Sequence, residues 1–234
     1  MVFLGCLGLI SYDQAIALEK NLCKLRYEGI LPDTALLMEH PPTITLGRFG
    51  KPEHILISAE EMARRGIAFF HADRGGDVTL HVPGQLVLHV VMDLRRRDSP
   101  LRGFITDLEE VALRMLIGYG VEAERWDEHP GLWVNGRQMG AIGLHFSRGV
   151  SSHGLAVNVD PDLSLFNVIN LCGLPDREAT SVVRELGHAV DIKQAARRLE
   201  AAFAEVFKAQ LVSVTLSDLT QWVAEAVMPR EGSL

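Results

Sequence analysis

The fifteen residues from Arg74 to Leu88, RGGDVTLHVPGQLVL, constrain this chain more than any other stretch. Gly75 and Gly76 open backbone conformations that a Cβ forbids and let another group approach the main chain closely. Val78, Leu80 and Val82 alternate with Thr79 and His81, the pattern of a strand with one buried face. Pro83-Gly84 breaks that strand, and Leu86 to Met92 begins a second apolar run. This predicts a Gly-walled loop and two strands, with Arg74, Thr79, His81 and Gln85 directed into one cleft. A plain hairpin with solvated Arg and His fits the same letters equally well.

The rest of the chain sets bounds on that cleft. A length of 234 residues buries a sizeable core as one large domain or two small ones, and the expectation is a single domain over residues 1–228 with a frayed tail from Pro229 to Leu234. Thirty acidic against 23 basic side chains give a formal charge of −7, which argues against nucleic acid as the main partner. No apolar run reaches the roughly 18–20 residues that span a bilayer, and MVFLGCLGLI, short and without basic residues, reads as a strand rather than an export signal. Three scattered cysteines, Cys6, Cys23 and Cys172, fit a reducing cytoplasm.

Helix signals recur at intervals. Ser11 and Gln14 have capping-box spacing ahead of Ala15, Leu18, Leu22 and Leu25, with Gly29 as the stop. A short helix is expected over Ala59 to Gly66, a second capping box at Thr106 to Glu109, and a final long helix after Asp191 with Ala195, Leu199, Ala202 and Val206 on its apolar face. Strands are expected over Ala35 to Met38, Thr43 to Arg48, Ile67 to His71 and Gly154 to Asp160. Glu39-His40-Pro41-Pro42 reads as a loop break. Asn135-Gly136 between two apolar runs is a strong hairpin signal. Gly140, Ala141, Ile142 and Gly143 in its second strand imply that something lies against the backbone there. The resulting order of helices and strands argues α+β, with helices flanking a mixed or antiparallel sheet.

Two further features bear on chemistry. Cys172 lies in Leu171-Cys172-Gly173-Leu174-Pro175, where the glycine permits a bend that exposes the sulfur and leaves backbone N–H groups free for an oxyanion. A buried inert thiol is the ordinary alternative. The nine histidines are scattered without HExxH or Cys/His spacing, so neither a zinc site nor any other metal or cofactor is expected. Arg95, Arg96, Arg97 and Arg102 form either a solvated loop or a docking patch for an acidic protein.

Several of these segments together resemble the lipoyl(octanoyl) transferases of lipoate biosynthesis. RGGDVTLHVPGQ is similar to their RGGxxTYHGPGQ, GRQMGAIG to GRKIAAIG, SHGLAVNV to HGxALNV, LCGLP to PCGIP and EHPPTITLGR to EHPPVYTLGR. The likeness runs in order from about Tyr12 to Gly187. It implies the biotin/lipoate protein ligase-like fold and transfer of an octanoyl group without ATP. The donor it implies is octanoyl-acyl carrier protein. The acceptor is the lysine of a lipoyl domain of a 2-oxoacid dehydrogenase or of a glycine-cleavage H protein. The implied nucleophile is Cys172. The implied substrate contacts are Arg74, Gly75, Gly76, Asp77, Val78, Thr79, Leu80 and His81, then Ala141, Ile142 and Gly143, then Gly154, Leu155 and Ala156.

One departure matters most. The family pattern places a lysine, which lowers the thiol's pKa, where this chain has Gln138, and its five lysines (20, 24, 51, 193 and 208) lie outside these motifs. A free thiol has a pKa of about 8.5, so a cationic neighbour decides how much thiolate exists at neutral pH. Three readings stay open: His81 or His153 serves Cys172 instead; desolvation and an oxyanion hole carry a slower reaction; or the chain binds acyl groups or acyl carrier protein without catalysis. An ATP-dependent lipoate or biotin ligase is the remaining alternative. Leu80 and Val82 also replace the Tyr and Gly of the pattern.

Overall fold

The computed structural model describes residues 1–95 and 100–227; Arg96, Arg97 and the tail from Pro229 fall outside the described residues. In chain order the elements are β1 (Val2–Leu9), α1 (Tyr12–Tyr27), β2 (Thr34–Glu39), β3 (Thr43–Leu46), α2 (Ala59–Arg64), β4 (Ala68–His71), β5 (Val78–His81), β6 (Gln85–Val91) and α3 (Pro100–Ile117). They continue with β7 (Glu124–Arg125), β8 (Gly131–Val134), β9 (Arg137–Ser147), β10 (Val150–Asn158), α4 (Val182–Leu186), α5 (Ile192–Val206), β11 (Leu211–Val214) and α6 (Leu216–Val227). Eight strands form one mixed sheet in the order β11-β1-β2-β6-β10-β9-β8-β7, and β4-β3-β5 form a second, small one. The α+β expectation with a mixed sheet and flanking helices holds.

The large sheet is covered on both faces, which is why β6 reads as a continuous apolar run rather than an alternation. Leu86, Leu88 and Val90 join Phe104, Leu108 and Val111 of α3 and Leu199 and Phe203 of α5 in the main core. Val87 and Val91 face the other way, into the core built by Leu18 and Leu22 of α1 and Leu219 of α6. The small sheet has its own core, where Leu80 and Val82 pack with Ile44, Phe166 and Leu171. Both departures at 80 and 82 are therefore apolar core residues here.

Local signals fared unevenly. Asn135 and Gly136 both have positive φ (50° and 76°), as the two-residue hairpin turn demands. Ser11 is the N-cap of α1, but its side chain caps no backbone N–H. Thr106 does not begin a helix: α3 already starts at Pro100, and the Thr106 hydroxyl donates back to the Arg102 carbonyl inside it. Nor is α5 the last helix, since β11 and α6 follow; β11 pairs in parallel with β1 at the sheet edge. The break at EHPP marks the passage of the chain from the large sheet to the small one. His40 there is fully buried, with its Nδ1 2.7 Å from the Ile10 carbonyl, and the Glu39 carboxylate accepts from Gly84 N–H, fixing the Pro83-Gly84 turn. Among the described residues, no helix is long and apolar enough to cross a membrane.

Leu108 is fully buried where α3 meets the sheet. Leu108→Ala is expected to lower stability by about 2–5 kcal/mol, measured as a lower urea midpoint with an unchanged denaturant slope.

Candidate active site

Both sheets and the turn Leu171–Gly173 contribute to one open cleft of about 520 Å³. Its walls are Arg74, Gly76 to Thr79 and His81 from the central stretch, Ala141 to Gly143 from β9, and His153 to Ala156 from β10, with Cys172 at the turn. Leu80 is not in this lining and faces the small-sheet core. Gly75 is also outside it: its N–H donates to the Leu144 carbonyl (2.7 Å), tying the loop to β9. Tyr12, Val87 and His89, which were not among the expected site residues, join the walls.

Arg74 organises the cleft. Its guanidinium donates to the carbonyl and hydroxyl of Thr45 on β3 (2.8 and 2.7 Å) and to the Gly75 carbonyl (3.0 Å). A Cβ on Gly143 would stand 2.7 Å from Arg74 Cδ. The small residue at 143 thus makes room for a side chain of the protein itself. At Gly140 and Gly154 a Cβ would meet the carbonyls of Ala156 and Leu88, so those glycines answer to adjacent strands.

Cys172 has left-handed backbone (φ 53°), and Gly173 follows with φ 73°. A Cβ at 173 would sit 2.5 Å from Asp77 Oδ2 and 2.9 Å from the His54 ring, so the turn fits only with glycine there. The N–H groups of Gly173 and Leu174 are engaged by the carbonyls of Asn170 and Leu171. The free amides expected beside the sulfur are therefore occupied by the turn. The Gln138 side-chain amide donates to Cys172 Sγ at 2.9 Å, the one side-chain hydrogen bond to this sulfur among the described residues. Gln138 is itself 4% exposed, and its main chain is stapled to the segment ahead of α4: its N–H donates to the Glu178 carbonyl, and its carbonyl accepts from Thr180 N–H.

The two histidines considered for Cys172 are held elsewhere. His81 Nδ1 lies 2.8 Å from Gln85 Oε1. Gln85 Nε2 then donates to Asn158 Oδ1, and Asn158 Nδ2 to the Thr180 carbonyl, a buried chain leading to the segment that braces Gln138. Burial holds His81 well below the ordinary imidazole range, with the neighbouring His40 acting in the same direction. His153 Nε2 is 2.7 Å from Asp73 Oδ1. The imidazole beside the Cys172 turn is instead His54, paired with Asp77 at 2.7 Å. It sits in a segment that the sequence presents as an ordinary polar loop.

Burial pushes the Cys172 thiol up from its ordinary value. The Gln138 hydrogen bond and the Arg74 charge act downward against it, and the Asp77 carboxylate acts upward. The groups that favour the thiolate here are thus a neutral amide and one buried guanidinium.

Comparison with known proteins agrees with this geometry. Residues 11–204 match the family model of the lipoyl protein ligase A/B catalytic domain. The chain belongs to the octanoyltransferase family. It is 47% identical over 204 residues to an octanoyltransferase of Chloroflexus aurantiacus, covering 86% of this chain and 92% of that one. It is 43% identical over 201 residues to one of Rubrobacter xylanophilus (85% and 90% covered). Its fold is that of lipoate-protein ligase A bound with ATP (TM-score 0.74, 17% identity, 97% and 94% covered). It is also that of the bi-partite lipoate protein ligase of Thermoplasma acidophilum (TM-score 0.75, 15% identity, 97% and 92% covered). The chain is accordingly an acyltransferase with the lipoate/biotin ligase fold.

Removing the charge that opposes the thiolate favours it. Asp77→Asn is expected to move the pH profile of Cys172 alkylation by iodoacetamide to lower pH, and Gln138→Ala to move it to higher pH. Opposite shifts would contradict the roles assigned to these side chains.

Proposed function

We propose that the chain carries an octanoyl group on Cys172 between two proteins. The Cys172 thiolate attacks the thioester of octanoyl-acyl carrier protein, forming a thioester on Sγ and releasing the carrier thiol. The ε-amine of a lysine on a lipoyl domain or a glycine-cleavage H protein then attacks that carbonyl, forming an amide, losing a proton and returning the sulfur. No ATP enters, because a thioester is already activated. The observation that carries this reading is the 2.9 Å hydrogen bond from Gln138 to Cys172 Sγ at the mouth of a cleft lined by the family's motifs. The amide steadies the sulfur without supplying a charge, and Arg74 is the cation that favours the thiolate. Ala141 to Gly143 and Gly154 to Ala156 are the walls offered to the acyl chain. The three cysteines are all free thiols, in keeping with action in a reducing cytoplasm.

Incubation with octanoyl-acyl carrier protein, read by intact mass, is expected to give one hydroxylamine-labile octanoyl adduct on the wild type and none on Cys172→Ser. Gln138→Lys places a cation beside the thiol and is expected to speed acylation at neutral pH by about tenfold. An adduct on Gln138→Lys with none on the wild type would overturn transfer through Cys172 and leave a protein that only binds the acyl carrier.

A further inference from the structure

Helix α1 directs Glu19 into the interior, where a carboxylate is costly unless paired. It is 1% exposed. Its Oε1 accepts from the His153 backbone N–H at 2.6 Å and lies 3.3 Å from His89 Nδ1, while Oε2 lies 3.9 Å from His153 Nδ1. His89 stands on β6, on the face turned to α1, and is 3% exposed; its Nδ1 has no partner of hydrogen-bonding geometry. His153 has φ 58° inside β10, and that reversal brings its ring to the same side, 5.5 Å from the His89 ring. One ligand atom from each of Glu19, His89 and His153 lies within 4.8 Å of the other two.

The chemistry of this set is specific. Two imidazole nitrogens and one carboxylate oxygen suit the zinc class of cation, whereas calcium and magnesium take oxygen ligands. Bonds of ~2.0–2.2 Å to a tetrahedral ion place ligand atoms roughly 3.3–3.6 Å apart. Glu19 Oε1 stands at that spacing from His89 Nδ1, and Oε2, the other oxygen of the carboxylate, is slightly farther from His153 Nδ1. Asp73 accepts from His153 Nε2–H, which leaves the Nδ1 lone pair as the ligand, the usual support for a metal-bound imidazole. Two carboxylates, Glu19 and Asp73, also face two imidazoles here. A divalent cation balances both negative charges at once. An adjoining hollow lined by Glu19, Cys23, Asp73, His145 and His153 offers an entry path.

We propose that Glu19, His89 and His153 bind a divalent cation of the zinc class, with Asp73 holding His153. The ion would pin α1 to β6 and β10, which form part of the cleft wall. Its ligands His89 and His153 also stand in the cleft wall, beside the residues offered to the acyl chain. The three ligands come from separate elements, which is why ligand spacing along the chain gave no sign of them.

The test is calorimetric titration of the chelator-treated protein with zinc chloride, with Co2+ as a spectroscopic probe. One saturable site is expected, together with a raised thermal midpoint. The Co2+ form is expected to show the visible bands of a tetrahedral site without thiolate charge transfer. Binding is expected to be lost in His89→Phe and Glu19→Gln, kept in Cys172→Ser, and weakened about 10–100-fold in Asp73→Asn, which reaches the site from its more open side. Circular dichroism checks the fold of each variant, and Asp73→Asn decides the matter if the buried variants do not fold. Absence of saturable binding by the wild type would overturn the proposal. So would binding unchanged in His89→Phe or Asp73→Asn, or lost only in Cys172→Ser.

Discussion

The buried guanidinium of Arg74 is the joint on which the cleft depends. A buried charge is stable only when its donors are met. Here they are met by the carbonyl and hydroxyl of Thr45 on the small sheet and by the carbonyl of Gly75 in the same loop. Gly143 supplies the space on β9 of the large sheet, and a Cβ at Gly47 would lie 2.8 Å from Arg74 Nη1. One side chain thereby links both sheets and the glycine loop, and its charge also reaches Cys172. Loop position, sheet packing and thiol chemistry are consequently coupled. Replacing Arg74 would disturb all three, so a loss of activity there would not isolate an electrostatic role.

What could be read from the letters depended on whether a feature was local. The alternation at Val78 to Val82, the Asn135-Gly136 hairpin and the apolar face of α5 are set by near neighbours, and each formed as expected. The segments that line the cleft were also visible, because glycines and polar residues interrupt core patterns there. Features that rest on distant partners were not visible. Nothing near His54 announces that it will meet Asp77 across 23 residues, and His40 sits in a Pro-flanked segment that reads as loop yet is fully buried. Thr106 to Glu109 has capping-box letters but lies within α3, because burial of Phe104 and Leu108 favours carrying the helix back to Pro100. The strand β11 is short and half-exposed, and its pairing with β1 is legible only once the fold has brought the two ends of the chain together.

At the Cys172 turn, backbone geometry and charge are set by the same contacts. Cys172 is held in a left-handed conformation that residues with a Cβ adopt rarely, and such strain persists where its surroundings over-determine it. Gly173 allows the Asp77–His54 pair to close against the turn. That closeness fixes the sulfur, and it also sets a carboxylate where it disfavours the thiolate. The 2.7 Å pairing with His54 holds Asp77 in that place.

Gln138 shifts the balance further. Its main chain is stapled on both sides and its amide is buried, so the donor that meets Sγ is held in place by packing. A neutral amide is cheaper to bury than an ammonium, because no charge has to be desolvated. What it forgoes is Coulombic attraction for the thiolate, the larger effect in a partly enclosed site. Burial raises the Cys172 thiol most; the Gln138 hydrogen bond and then the Arg74 guanidinium act against it, and the Asp77 carboxylate adds to it. The charges that act on the thiol, Arg74 and Asp77, both lie in the central stretch, whereas the resemblance would place a cation on β9 at position 138.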